Sequence, residues 1–229
     1  MTLIMTDKRI HIFTGPYGSG KTEVSMNFAV ELKEKHEKVA LIDLDIVNPY
    51  FRSRQAAKPL SEAGVEVIHP PGKLANADLP AISRDITRVL RDDSYVVIFD
   101  VGGDDVGATA LGRFNPHLRD RQCEMHFVVN TNRPFSKDVE SIEEILRKVE
   151  KASRLEVDDL VGNINLCNET TVSDIEKGYT VLEEASQELD LPINYLAVEE
   201  SLKDEIDSDK FGAPVKFIQL YNRPVWMRK

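Results

Sequence analysis

Residues 15–22 read Gly15-Pro16-Tyr17-Gly18-Ser19-Gly20-Lys21-Thr22, which sets glycines, a lysine and a hydroxyl at the spacing Gly-x4-Gly-Lys-Ser/Thr. Residues of these types at this spacing hold a polyphosphate. Gly15, Gly18, Ser19 and Gly20 let the backbone curl so that its N–H groups point at an anion. Lys21 reaches the β- and γ-phosphates, and Thr22 offers its hydroxyl to Mg²⁺. The flanking elements suit the task. Arg9 to Thr14 reads Arg-Ile-His-Ile-Phe-Thr, a short strand with a β-branched, apolar bias. Val24, Phe28 and Leu32 recur every four residues and mark one face of a helix. The loop thus joins a strand's end to a helix's start, where the helix N-terminus adds its partial positive charge.

Acidic residues close two further strand patterns. Tyr95 to Asp100 is an apolar run tipped with Asp100, and Lys38 to Asp45 is another, closed by Asp43 and Asp45. An aspartate ending the second strand helps to hold Mg²⁺ near the loop hydroxyl, so Asp100 is read as a metal-side residue. Asp43 could approach the same ion, and Asp45, further out, could orient an attacking water. Gly103, three residues past Asp100, either brings its N–H to the γ-phosphate or serves as a plain turn. Asn163 ends a late strand, where its amide either reads a purine edge or caps a turn. Arg52 and Arg54 lie just beyond the Asp43/Asp45 strand as candidate charge stabilisers or as solvent-facing cations. His11, His36, His69, His117 and His126 show no ligand spacing and are read as structural or exposed.

These residues need a scaffold that gathers strand ends. Further strand patterns at 65–69, 126–130, 160–165 and 193–198 alternate with helical patterns at 78–90, 106–120, 136–149 and 171–189. That alternation predicts βαβ units and a mostly parallel sheet with helices on both faces, an α/β fold. Ligands of such sheets bind at the carboxyl ends of the strands. The 229 residues fit one domain spanning 1–229. Composition narrows the function further. With 39 acidic against 29 basic residues, net charge −10, a broad nucleic-acid-binding face is not expected. No apolar run is long enough to span a membrane, and the first eight residues do not read as a secretory signal. Cys123 and Cys167, the two cysteines, fit reduced thiols and a cytoplasmic location.

Together, Gly15 to Thr22, the Leu41-Ile42-Asp43-Leu44-Asp45 strand end and Asp100-Val101-Gly102-Gly103 resemble the MinD/ParA/CobQ-type branch of phosphate-loop ATPases. The late placing of Asn163 is similar as well. The resemblance implies ATP with Mg²⁺, a water-positioning role for Asp45, metal-side roles for Thr22, Asp43 and Asp100, and a nucleotide-bridged homodimer. It also departs from that branch. Its members carry a signature lysine after the loop's first glycine, and here that position is Pro16, with neither N–H nor charge. Arg52 or Arg54 is the sequence's candidate replacement. The expected activity is a slow ATP-hydrolysing switch read by a partner protein. The alternative is an ATP-dependent ligase or kinase acting on a small carboxylate, with Lys73, Asn76 and Arg84 lining its pocket.

Overall fold

The structure, a computed structural model, describes residues 8–44, 54–69, 84–103, 105–118 and 123–221. Strands β1 (Ile10–Thr14), β2 (Lys38–Asp43), β3 (Glu66–Ile68), β4 (Tyr95–Asp100), β5 (Cys123–Val129), β6 (Asp159–Gly162), β7 (Ile193–Glu199) and β8 (Val215–Ile218) form one sheet in the order β3-β2-β4-β1-β5-β6-β7-β8. Every pairing is parallel. The expected α/β architecture is therefore what the chain adopts. The strand after the phosphate loop's own strand in sequence is not its neighbour in space. Instead β1 lies between β4 and β5, so the strand order reverses beside it, which is where such sheets open a crevice.

Both faces of the sheet are covered, which explains the continuous apolar strands. Within each strand, alternate residues serve two cores. Ile10, Ile12, Ala40, Ile42, Val97, Phe99, Met125, Phe127 and Val129 pack with helices α3 (Arg84–Arg91), α4 (Asp105–Gly112), α5 (Asn115–Leu118), α6 (Val139–Ser153) and α7 (Val172–Leu189). Phe13, Val39, Leu41, Val96, Ile98 and Val128 pack on the other face with α1 (Lys21–Lys33) and α2 (Arg54–Glu62). The predicted stripe Val24, Phe28, Leu32 is the buried side of α1. A one-residue slip of any strand would exchange its two sets of side chains, so register is firmly set.

Two long helices start on side-chain caps. Asp138 and Ser141 form a reciprocal capping box at α6, and Thr171 and Asp174 do so at α7. Two features of the fold go beyond the helix and strand patterns of the sequence. The acidic segment 171–189 is more than a solvated outer layer: α7 buries Ile175, Tyr179, Leu182 and Ala185 against the core. And β7 is followed by β8, a four-residue edge strand reached through 3₁₀ turns at Glu200–Leu202 and Ser208–Lys210 rather than through a helix. Lys216 interrupts the apolar pattern of β8 and hides it from a periodicity reading.

Candidate nucleotide-binding site

The loop after β1 is built so that only glycine fits. Gly15, Gly18 and Gly20 have φ of 142°, 78° and 84°. A Cβ on Gly15 would lie 2.3 Å from the Val128 carbonyl oxygen of the neighbouring strand. Gly20, in the left-handed conformation, is the N-cap of α1, and the Val24 N–H closes the first helical turn onto its carbonyl at 3.1 Å. The Ser19 N–H donates to the Pro16 carbonyl at 3.2 Å and completes the curl. Lys21, the first residue of α1, is buried and donates its ammonium to the same Pro16 carbonyl at 3.0 Å. The lysine is thus folded over the loop that it would serve.

Three neighbouring strands deliver the partners. Asp100, at the end of β4, accepts a 2.7 Å hydrogen bond on Oδ2 from the Thr22 hydroxyl. Sheet register sets Asp100 between Phe13 of β1 and Asp43 of β2, and both aspartates are almost wholly buried. The Leu44 N–H bonds to the Asp100 carbonyl at 2.8 Å and the Val101 N–H to that of Phe13 at 2.9 Å, so the three strand ends are stitched together. His69, after β3, brings Nδ1 to 3.8 Å from Asp43 Oδ2. Gly103 backs directly onto the loop: a Cβ there would lie 2.5 Å from the Gly15 carbonyl oxygen and 2.8 Å from the Tyr17 nitrogen.

From the other side, Asn163 follows β6 and donates Nδ2 to the Ser19 carbonyl at 2.8 Å. Its amide fills the space that a Cβ on Gly20 would take, at 2.1 Å. Asn130, at the end of β5, is tied to the Asn163–Asn165 turn: Nδ2 donates to the Asn165 carbonyl at 2.9 Å, and Oδ1 accepts from the Asn132 and Asn165 N–H groups.

The structure thus brings Gly15, Gly18, Ser19, Gly20, Lys21, Thr22, Asp43, Asp100, Gly103 and Asn163 to one end of the sheet. Asp45, Arg52, Lys73 and Asn76 lie outside the described residues, as does the Arg54 side chain; Arg84 opens α3. One neighbour escaped the sequence reading. Arg133, in the loop after β5, lies along the phosphate loop, its Cδ and Nε 3.6 Å from where a Gly18 Cβ would sit. No motif spacing marks it; only the adjacency of β5 and β1 does. Buried polar atoms are normally paired, yet Ser19 Oγ and Arg133 Nε, at and beside the phosphate loop, have no hydrogen-bond partner. A glycine cradle, an ammonium, a hydroxyl–carboxylate pair and two unpaired donors fit a polyphosphate with a divalent cation.

Residues 10–191 match the family described as the CobQ/CobB/MinD/ParA nucleotide binding domain. The chain belongs to this family. It is a P-loop nucleotide-binding protein. Its fold is shared with chloroplast FtsY from Physcomitrella patens (TM-score 0.61, 17% identity, covering 89% of this chain and 62% of that one). FtsY from Thermotoga maritima is similar too (TM-score 0.54, 20% identity, 87% of this chain and 65% of that one). So is a nucleotide-binding protein from Archaeoglobus fulgidus in complex with ADP (TM-score 0.51, 15% identity, 86% and 84%). The chain spans less than two thirds of the length of either FtsY protein. No curated protein sequence matches it. Among the described residues, no helix of this family member is long and apolar enough to cross a membrane.

Proposed function

We propose that this family member binds ATP with Mg²⁺, hydrolyses it slowly, and works as a switch read by a partner protein or a second copy of itself. The observation that carries the reading is the 2.7 Å bond from Thr22 to Asp100 beside a cradle that tolerates only glycine. That bond joins the two residue types that hold Mg²⁺ in phosphate-loop proteins, before any ion is considered. Thr22, Asp100 and Asp43 would hold the ion, which when bound neutralises charge on the phosphates. Lys21 would exchange the Pro16 carbonyl for phosphate oxygens, and Gly103 would present its N–H to the γ-phosphate. Asp45 is assigned to orienting the attacking water.

Adenine is favoured by the segment after β6. It reads Asn163-Ile164-Asn165-Leu166, so no carboxylate stands three residues after Asn163 to accept from the N–H groups of a guanine edge. The partner is favoured by Tyr17 and Phe135, the exposed large hydrophobic residues among those described. One sits on the phosphate loop and the other two residues past Arg133, so the surface that nucleotide state would reshape is also the stickiest. FlhF, whose fold is shared at a TM-score of 0.51 and 12% identity, has been solved with GTP and Mg²⁺, so the nucleotide itself must be tested.

Calorimetry with ATP and with GTP, each with Mg²⁺, is that test. The expected result is saturable ATP binding, weaker GTP binding, and loss of both in Lys21→Ala. ATP affinity retained in that variant, or a preference for GTP, would refute the corresponding part.

A further inference from the structure

The end of the sheet away from the phosphate loop holds a second cluster of ligating groups. His11 lies in the amino-terminal half of β1, and Glu124 and His126 lie on β5, paired with it. The three residues lie 3–5 places before the carboxyl ends of their strands, and none takes part in the site described above. His11 Nδ1 and His126 Nε2 face each other at 3.2 Å, and Glu124 Oε2 stands 3.7 Å from the first and 3.9 Å from the second. Ligand atoms around one tetrahedral zinc ion, with bonds of about 2.0–2.1 Å, lie roughly 3.3–3.4 Å apart. The edge between the two imidazole nitrogens is close to that length, and the two edges to Glu124 are about half an ångström or less longer.

The protons decide what can lie between the rings. His126 Nδ1 is 2.9 Å from Asp159 Oδ1 and 3.0 Å from Oδ2, and a carboxylate only accepts, so this nitrogen carries a hydrogen. His11 Nε2 is 3.1 Å from the Lys8 carbonyl, which also only accepts. In the neutral rings the two hydrogens are therefore spent outward, and Nδ1 of His11 and Nε2 of His126 present lone pairs to each other. In that tautomer two lone pairs face each other at hydrogen-bond distance in a buried place, an arrangement that a cation between them satisfies.

We infer that His11 Nδ1, His126 Nε2 and Glu124 form a binding site for a divalent transition-metal ion of the zinc class, with a coordination position open toward solvent on the Glu124 side. Two imidazoles and a carboxylate are a donor set suited to zinc, and three protein ligands leave one position for water or another ligand. The surroundings have the form that metal-ligating histidines need. Each ring donates its other N–H to an acceptor, and Asp159 is itself held by Asn194 Nδ2 at 2.8 Å. The aromatic rings of Phe13 and Phe28 pack against the two imidazoles and fix their planes. Both histidines are almost fully buried, whereas the Glu124 side chain is 13% exposed, which gives an ion its way in. The sequence offers no ligand spacing because the ligands meet across a sheet, on β1 and β5, rather than along one segment.

Cobalt(II) is the probe. The full chain is stripped with chelator, transferred to buffer with excess Mg²⁺ to occupy carboxylate sites, and titrated with CoCl₂ while visible absorption is followed. Wild type should take up one ion per chain with the strong absorption of a four-coordinate cobalt, and ZnCl₂ should displace it. Glu124→Gln, at the partly exposed ligand, should weaken binding tenfold or more, and His126→Gln should abolish the absorption. Asp159→Asn should cost about tenfold to a hundredfold through His126. Circular dichroism and thermal unfolding of the same samples confirm that each variant is folded. Absence of cobalt uptake by folded wild type would overturn the site and leave a shared proton between the rings. Uptake undiminished in Glu124→Gln would place the ion elsewhere and overturn it equally. Neither result bears on nucleotide binding, which the calorimetry above tests alone.

Discussion

The Asn163 carboxamide occupies the place that a side chain on Gly20 would need: its Nδ2 lies 2.1 Å from that Cβ position and donates to the Ser19 carbonyl at 2.8 Å. Loop and amide are therefore one mechanical unit, although 143 residues separate them in the chain. Gly20→Ala should lose nucleotide affinity and about 1–3 kcal/mol of stability, since alanine is also strained at φ 84°. Asn163→Ala should cost about 1–2 kcal/mol by leaving a buried carbonyl unpaired. Because the second change removes the clash created by the first, the double variant should be more stable than the sum of the two predicts, with a coupling of about 0.5–3 kcal/mol. Denaturant unfolding of the four proteins measures it. Strict additivity would mean that the amide swings aside at no cost.

The Thr22–Asp100 bond gives the proposed Mg²⁺ a definite place that can be tested. Thr22→Val removes the hydroxyl while nearly keeping the volume, and Asp100→Asn removes the charge. In each, the gain in ATP affinity that Mg²⁺ gives the wild type should shrink by at least about tenfold, or 1.4 kcal/mol. Affinity measured in EDTA should stay close to that of the wild type, because Lys21 and the loop N–H groups are untouched. Calorimetry with and without the metal separates the two cases. An unchanged Mg²⁺ effect in both variants would remove the ion from this pair.

What could be read from the chain without coordinates was what is local. The loop, its strand and its helix lie within 25 residues, and their signals are spacing and periodicity. Asp43 and Asp100 each close an apolar run, so their convergence followed once a parallel sheet was inferred. Three things were not legible, each for a physical reason. The reach of Arg133 to Gly18 depends on β5 being the neighbour of β1, a property of strand order that no segment encodes alone. The His11, Glu124 and His126 cluster is likewise made across strands. The edge strand β8 is short, half-buried and carries Lys216, whose ammonium lies 4.3 Å from the centre of the Tyr195 ring and 3.3 Å from Glu31. A charge satisfied by tertiary contacts looks like a loop charge in the sequence.

Arg133 supplies a guanidinium to a loop that lacks the signature lysine at Pro16. Its Nε is buried and without a partner, so the side chain contributes little to folding by hydrogen bonding. Arg133→Ala should change stability by no more than about 0.5 kcal/mol. If the guanidinium meets the charge of the transferring phosphoryl group, phosphate release at saturating ATP should fall by at least about tenfold. Arg133→Lys should not restore it, because an ammonium lacks the planar fork of donors. Turnover equal to that of the wild type in Arg133→Ala would assign the side chain to packing on Gly18.

Gly103 tests whether the turn after Asp100 must touch the phosphate loop. The atoms that a Cβ there would strike are main chain, the Gly15 carbonyl at 2.5 Å and the Pro16 carbon and Tyr17 nitrogen at 2.8 Å. No rotamer can relieve such a clash, so Gly103→Ala must push the two loops apart. Gly212→Ala is the matched control: its Cβ would meet the Tyr179 hydroxyl at 3.5 Å and Glu183 Oε1 at 3.7 Å, ordinary contact distances. Gly103→Ala should lose at least about tenfold in ATP affinity, roughly 1.4 kcal/mol, while Gly212→Ala binds as the wild type does. Because Gly103 lies past the end of β4, the sheet itself should survive, and the far-ultraviolet circular dichroism of both variants should match. Full ATP affinity in Gly103→Ala would show that the two loops can part without loss, and the γ-phosphate role assigned to the Gly103 N–H would fall with it.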